Sequence, residues 1–291
     1  MVIRKRQGGY IFSIFNYIFL VCAGLITFIP FLNVFAKSLS SEAAVISGEV
    51  SIFPVEPQIG TYKYVMVNFQ FLNSMKVSVF ITVAGTIFCM MMTVIATYPL
   101  SKPHLKGRKV ILMLFVFTML FNGGIVPNFL LIKKLGLMNQ LGALILPNLI
   151  NVFNMLIIKN YFEEIPESVE EASKIDGASN IRILFSIIIP MSTPVLATIA
   201  LFYAVNFWNS FFDSMIYINV PNKKPLQQYL VEMISRSQKP LTDVNVDAAM
   251  NRSPDSVKAA TIMASTIPIL FVYPFLQKYF VKGIIIGSVK G

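Results

Sequence analysis

Residues 77–100 read VSVFITVAGTIFCMMMTVIATYPL, a long apolar run that contains no charged side chain. A helix needs roughly 20 apolar residues to cross the hydrocarbon core of a bilayer, so this stretch is long enough to span one. The run is continuously apolar instead of alternating between apolar and polar residues, which favours a helix over a strand of a membrane barrel. The stretch therefore predicts an all-α integral membrane fold.

The composition extends this prediction to the whole chain. The 291 residues are 55% hydrophobic and only 13% charged, whereas soluble domains carry about 25% charged residues. Similar apolar windows recur along the chain and predict six transmembrane helices within one domain, residues 1–291. The predicted spans are residues 11–35, 76–100, 110–132, 138–160, 183–218 and 259–281. In the third of them, Gly123-Gly124 and Pro127 predict a break in the helix.

Basic residues at the ends of the spans predict the orientation. The N-terminal segment carries Arg4-Lys5-Arg6, and segment 101–109 carries further lysine and arginine residues. Because lysine and arginine accumulate in short cytoplasmic loops, we expect both segments, and with them both termini, on the cytoplasmic side. The connection 163–182 then also lies inside. The loops 36–75 and 219–258 lie outside.

Several kinds of site are not indicated. The net charge of +10 does not predict nucleic-acid binding, because the basic residues lie at span ends and do not cluster on one face. His104 is the only histidine, and Cys22 and Cys89 both lie inside predicted spans, so we expect neither a metal site nor a disulfide framework. A membrane-embedded transferase would need histidine or paired carboxylates near the interface, and we predict no catalytic residue.

The connection between the fourth and fifth spans is unusually acidic. It holds six of the fourteen acidic residues: Glu163, Glu164, Glu167, Glu170, Glu171 and Asp176. Residues 166–177 predict a short helix, with Pro166 at its first position and Gly177 as its stop signal. This helix is too short to cross a membrane and too acidic to lie on anionic lipid. We therefore expect a partner protein with basic groups to bind it. The alternative is a solvated linker that only connects two spans.

Residues 171–178, Glu-Ala-Ser-Lys-Ile-Asp-Gly-Ala, followed by Phe185, Ile187, Pro190 and Pro194, resemble the EAA loop of ATP-binding-cassette (ABC) importer permeases. The resemblance is closest to the carbohydrate-uptake branch, the maltose-type small permeases. This chain departs from the family pattern in having Ser173 in place of the second alanine. The end of the chain, Lys282-Gly283, Gly287 and Val289-Lys290-Gly291, also resembles the terminus of those permeases.

The resemblance implies a type I importer permease with six transmembrane helices, in which the acidic helix is the coupling helix. The implied partners are a second permease subunit, two ABC ATPases, an extracellular solute-binding protein and membrane lipid, in a bacterial plasma (inner) membrane. ATP and Mg²⁺ would be used by the ATPase. This chain lacks a phosphate-binding loop and is expected to be neither an enzyme nor a cofactor-binding protein. The implied ATPase-docking residues are Glu170, Glu171, Ala172, Ser173, Asp176, Gly177 and Ala178, with tail contacts from Gly287 and Lys290.

Polar and aromatic residues at membrane depth predict a pathway for a sugar or oligosaccharide. They are Asn151, Asn154, Tyr203, Asn206, Trp208 and Asn209. Amide groups beside an aromatic face suit a polyhydroxylated ring, which needs hydrogen bonds and an apolar contact. The alternative for the asparagines is hydrogen bonding between helices, and Tyr203 and Trp208 would also suit an interface anchor.

Two other functions are left open by the residues. A stand-alone secondary carrier would need no ATPase, but the spans lack the chain of buried carboxylates that is typical of proton-coupled carriers. An ABC importer of a solute other than a sugar is the second alternative.

Overall fold

The computed structural model describes residues 7–121, 123–237 and 253–288, with the side chains of residues 12–121, 123–235 and 253–271. All regular secondary structure in these ranges is helical, which confirms the all-α prediction. Within the domain predicted for residues 1–291 there are two compact units. The described parts of Met1–Asn68 and Glu232–Ile267 form the first unit, and those of Phe69–Val231 and Pro268–Gly291 form the second.

The helices follow one another with short connections. The first unit contains α1 (Gln7–Leu39), α2 (Glu42–Ile46) and α3 (Gly60–Val67). The second contains α4 (Phe69–Ser101), α5 (Arg108–Leu120), α6 (Ile125–Lys134), α7 (Gly142–Ile145), α8 (Val152–Glu163), α9 (Glu167–Ile175), α10 (Asn180–Ile183), α11 (Ile189–Met191), α12 (Thr193–Asn209) and α13 (Phe212–Tyr217). The boundaries of the two units fall within α14 (Leu226–Ser237) and α15 (Pro254–Ser288).

The first unit combines the long apolar helix α1 with a shorter, more polar segment, residues 40–67, which is called the cap. In α1, Phe12–Leu39 is long and apolar enough to cross a membrane by itself. The cap is held to the end of α1 by Ser40, whose Oγ donates to the Ala36 carbonyl at 2.7 Å and accepts the Val55 amide at 3.0 Å. Since α1 continues to Leu39 and α4 begins at Phe69, the helices extend into the predicted loop 36–75 from both sides.

The second unit is built around α4, which is also long and apolar enough to cross a membrane by itself. α12 and α8 pack along α4 and against each other. Their shared core consists of buried apolar side chains such as Ile81, Ile158 and Ile199. Close packing and the dispersion contacts that it gives hold these three helices together, because lipid tails are as apolar as the side chains. The bundle positions the connections at both ends of α4.

Predicted spans three, four and five each form a pair of helices instead of one. α5 ends at Leu120 and α6 begins at Ile125, with Gly124 at φ +89°, which confirms the predicted break. Residues Gly142–Asn148 meet α8 at a bend of 47°, and Asn180–Met191 meets α12 at 85°. Pro147, Pro190 and Pro194 lie near these bends, where a missing backbone amide weakens a continuous helix.

The span count follows from these pairs. Among the described residues, two helices are each long and apolar enough to cross a membrane. The number of spans rises to five if each bent pair is counted as one span. The sixth predicted span, 259–281, falls on α15, a helix of 35 residues.

Candidate functional site

The acidic connection folds as α9, a nine-residue helix with well-defined ends. Pro166 occupies the N-cap, so the helix begins at Glu167, one residue later than the predicted start. At the other end Gly177 adopts φ +78°, its amide donates to the Lys174 carbonyl at 3.0 Å, and the Ala178 amide donates to the Ser173 carbonyl at 3.0 Å. This pair of bonds is a Schellman motif, which needs the left-handed conformation that glycine adopts without strain.

An ion pair holds the buried side of α9 against the rest of the chain. Of its nine residues only Glu170 is buried, and its carboxylate pairs with the ammonium of Lys102, in the segment that follows α4. The side chains of Lys102 and Glu170 are 29% and 10% exposed. Lys102 also lies 4.7 Å from the centre of the Tyr98 ring, within the range of a cation–π contact. Within this chain the carboxylate of Glu170 therefore faces Lys102, and its docking on an ATPase stays a prediction.

A second charged contact joins the same two segments. The Arg108 guanidinium pairs with Glu163, at the end of α8, and the other oxygen of Glu163 accepts Lys159 Nζ at 2.7 Å. Arg108 Nε donates to the Leu100 carbonyl at 2.8 Å, which closes the connection between α4 and α5 on itself. The segments 101–109 and 163–182 therefore lie at the same end of the bundle. In the sequence, segment 101–109 is basic and segment 163–182 is acidic, and both are predicted to lie on the same side of the membrane. This complementary charge could have predicted the contact between them.

A cavity of about 480 Å³ lies between these two segments. One side is lined by Lys102, His104 and Arg108, and the other by Glu163, Glu167 and Glu171. The wall formed by the 101–109 segment is basic, and the wall formed by the acidic connection is mainly acidic, with Lys174 as its one basic residue. Charged walls of this kind favour charged protein groups over an apolar ligand.

The exposed residues of α9 are called its free side, and one of them, Glu171, also lines the cavity. Glu171, Ala172 and Asp176 are exposed, and so is Gly177. Ile175 is 86% exposed although the residues around it are charged. Ser173 and Ala178 are half-buried, and Ser173 Oγ donates to the Val169 carbonyl at 2.8 Å within the helix.

Three of the predicted pathway residues meet at the bend before α8. The Tyr203 hydroxyl is within 2.8 Å of Thr93 Oγ1 and accepts the backbone amide of Asn151 at 3.0 Å. Asn151 Oδ1 caps α8 by accepting the Asn154 amide at 3.1 Å. Tyr203 and Asn154 are buried. This arrangement gives Tyr203 a role between α4, α8 and α12, as in the interhelical alternative.

The other three pathway candidates lie further along α12. Asn206 and Asn209 are exposed on the same face as Phe202 and Val205, and Asn209 Nδ2 donates to the Val205 carbonyl at 3.0 Å. Trp208 is half-buried, and its Nε1 has no hydrogen-bond partner among the described residues. Solute contact by any of the six residues stays a prediction. Of the predicted tail contacts, Gly287 lies on α15 and Lys290 lies outside the described residues.

Comparison with known proteins gives consistent matches. Residues 86–286 match the family described as "binding-protein-dependent transport system inner membrane component". Protein LplC of Bacillus subtilis (strain 168) is 47% identical, over 99% of this chain and 98% of that protein. The polygalacturonan/rhamnogalacturonan transport system permease protein YtcP of the same strain is 41% identical, over 97% of this chain and 99% of that protein.

A solved structure matches over nearly the full length. It is a chain of a bacterial ABC transporter involved in the import of the acidic polysaccharide alginate. The TM-score is 0.90 at 36% sequence identity, and the match covers 96% of this chain and 100% of that chain.

Proposed function

Since this chain belongs to the family of binding-protein-dependent transport system inner membrane components, we propose that it is the membrane-spanning permease subunit of an ABC importer for an oligosaccharide. The observation that carries this proposal is the full-length likeness, with a TM-score of 0.90, to a chain of an ABC transporter that imports a polysaccharide. Relatives at 47% and 41% identity over almost the whole chain support it.

The partners follow from the division of labour in such importers. A second permease subunit completes the pathway, two ABC ATPases bind ATP and Mg²⁺, and an extracellular binding protein delivers the solute. This chain binds no cofactor and catalyses no reaction. It lies in the inner membrane with both termini in the cytoplasm. The basic segment 101–109 supports this orientation, because it meets the acidic connection at one end of the bundle.

The free side of α9 is the surface for the ATPase. Glu171 and Asp176 offer carboxylates to basic groups, and Ile175 offers an apolar contact that is otherwise open to water. Gly177 permits close approach at the end of the helix. Closure of the ATPase dimer displaces α9, and the displacement moves the helices that line the pathway.

The solute is an oligosaccharide that carries carboxylates. The relatives named for polygalacturonan and alginate handle acidic polysaccharides. In the second unit, the end opposite α9 carries one carboxylate, that of Asp213, and five lysines. The lysines are Lys76, Lys133, Lys134, Lys223 and Lys224. Hydrogen bonds bring their segments together, since Lys223 Nζ donates to the Asn139 carbonyl at 2.8 Å and Asn73 Nδ2 donates to the Asn222 carbonyl at 2.7 Å. A basic outer end attracts an anionic solute.

The test begins with the complex. The chain is tagged at the C-terminus, solubilised in mild detergent and analysed for what co-purifies. A second six-span permease with an ABC ATPase supports the importer. A chain that purifies alone and transports alone in liposomes would overturn it in favour of a secondary carrier.

The solute is tested on the reconstituted complex with its binding protein. A uronate oligosaccharide is compared with the same oligosaccharide after its carboxyl groups have been reduced to alcohols. Uptake of the uronate form alone supports an acidic cargo, and preference for the reduced form contradicts it. Uptake of neither, with uptake of an amino acid or phosphate instead, would move the chain to the importers of other solutes.

A further inference from the structure

We infer that Lys102 and Arg108 are positioning residues that clamp the acidic connection to the connection between α4 and α5, Lys102 through the coupling helix α9 and Arg108 through the end of α8. The clamp consists of the Lys102–Glu170 and Arg108–Glu163 ion pairs. Its mechanical role rests on the proposed function, because the ATPase supplies the displacement. The contacts themselves do not depend on it.

The first argument is how little else holds α9. A surface helix is ordinarily held by a stripe of buried apolar side chains. In α9 the one buried residue is a carboxylate, and Ile175 is 86% exposed. Apart from the half-buried Val169 and Ser173, its orientation on the bundle therefore depends on the partner of Glu170. That partner, Lys102, lies 68 positions earlier in the chain.

The second argument is that the partner segment is itself held in place by the contacts of Arg108. Arg108 uses Nε to hold the Leu100 carbonyl and its terminal nitrogen to hold Glu163. Gly107, at φ +78°, gives the turn that brings Arg108 back towards Leu100. The guanidinium donates along several directions at once, which a lysine ammonium on a flexible chain does not reproduce.

The third argument concerns which helices move when α9 is displaced. Along the chain, α9 is joined to α8 on one side and, through α10 and α11, to α12 on the other. Neither covalent path includes α4, the helix against which α8 and α12 pack. The clamp adds that path, because Lys102 directly follows α4 and Arg108 begins α5. A push on α9 is thereby delivered to α4, α5, α8 and α12 together.

The ion pairs are strong enough for this role because they are partly shielded. The side chains of the two pairs are between 10% and 30% exposed. Fully exposed pairs are screened by salt and contribute little, whereas removal of one partner from a shielded pair leaves an uncompensated charge.

The experiment uses the complete complex in proteoliposomes and measures solute uptake and ATP hydrolysis in parallel. The variants are Lys102→Glu, Glu170→Lys and the exchange of both charges. The matched control is Lys106→Glu, an exposed lysine in the same segment. We expect each single reversal to lower uptake per ATP by about tenfold or more, the ratio that corresponds to 1.4 kcal/mol. The exchange should restore the wild-type ratio, and Lys106→Glu should keep it.

Equal ratios in the single variants and the control would overturn the clamp. So would an exchange variant that assembles and still transports poorly. If the single reversals fail to assemble, Lys102→Arg decides: a wild-type ratio supports a charge contact, and a ratio as low as that of a neutral Lys102→Gln variant opposes it.

Failure of the proposed function can be distinguished from failure of the clamp. If the wild-type complex hydrolyses no ATP, the importer is wrong, and the contact is still tested by Lys102→Cys with Glu170→Cys. Cross-linking of these cysteines in native membranes supports the contact. No cross-linking, with Lys106→Cys and Glu170→Cys as the comparison, overturns it.

Discussion

Gly85 of α4 lies directly against the ring of Phe207 on α12, and a β-carbon added to Gly85 would be 2.7 Å from Cε2 of that ring. Real β-carbons do not approach other atoms so closely. The two helices therefore cross at a point where one contributes only backbone. Small residues at such crossings are common in membranes, because close approach maximises dispersion contacts that lipid does not replace.

We predict that Gly85→Ala lowers the stability of the helix pair. Inserting a methyl group into a filled site costs about 1–3 kcal/mol. Gly24→Ala is the matched control, since Gly24 is also helical and has no atom within 4 Å of an added β-carbon. Thermal unfolding of the detergent-solubilised chain measures both. Adding Phe207→Leu should recover part of the loss in the Gly85 variant, and an unchanged loss would contradict the contact.

Glu171→Lys is expected to abolish uptake while the chain inserts normally. Glu171 is exposed on α9 and has no partner in the three ion pairs of the described residues. Reversal of its charge repels a basic group of the ATPase without disturbing this chain. Uptake in proteoliposomes and the amount of inserted protein are compared with Ser168→Ala on the same helix. Normal uptake by Glu171→Lys would count against docking through α9.

Gly177→Val tests the end of the same helix. At φ +78° a β-branched residue is strained by roughly 1–2 kcal/mol, which disrupts the last turn where the ATPase approaches. Gly177→Asn is the matched variant, because asparagine tolerates this conformation better. We expect uptake to fall in the order wild type, asparagine, valine, and equal uptake by all three would refute the requirement.

Ile175→Ser should weaken ATPase binding without lowering the stability of the permease. Burial of an isoleucine side chain contributes about 1.5–3 kcal/mol, so the affinity should fall roughly tenfold or more. Because Ile175 is 86% exposed in this chain, its replacement removes no internal contact. Affinity is measured by titrating ATPase onto the solubilised permease pair. A loss of thermal stability instead would show that Ile175 packs within the permease.

Tyr203→Phe and Asn206→Ala are expected to act on different properties. Tyr203→Phe removes a hydroxyl that bonds to Thr93 and Asn151, so it should cost about 1 kcal/mol of stability. Asn206→Ala changes an exposed side chain and should alter the concentration of solute at half-maximal uptake. Measuring stability and uptake for both variants separates the roles. Loss of assembly in Asn206→Ala would support hydrogen bonding between subunits instead of solute contact.

Much of the fold was predictable because the signals are local. The apolar run 77–100 predicts α4, and Gly123-Gly124 predicts the break before α6, since both depend on residues close together in the chain. The bends near Ser192 and Asn151 were less visible, because a proline in an apolar run is compatible with a kink of any angle. The helix 166–177 was predicted to within two residues, and its start was displaced because Pro166 caps the helix from outside it.

Contacts between individual residues far apart in the chain could not be predicted from the sequence. Glu170 and Glu171 are neighbours of the same type, and nothing in the adjacent residues predicts which carboxylate is buried and which is exposed. The structure separates them, because the rotation of α9 places Glu170 against Lys102 and leaves Glu171 exposed. In the same way, Tyr203 and Asn206 both suited a pathway, and the packing of α12 on α4 buried only the first.

The helical fold, the membrane location and the short acidic helix with its glycine stop were all predictable from the sequence, because hydrophobicity, charge and helix ends act over a few residues or one span. The packed fold was needed to show which acidic side chain is buried, which polar residues join helices and that the α4–α5 connection contacts α9. Those outcomes depend on how helices far apart in the chain cross, and the crossing is set by close packing such as that of Gly85 against Phe207.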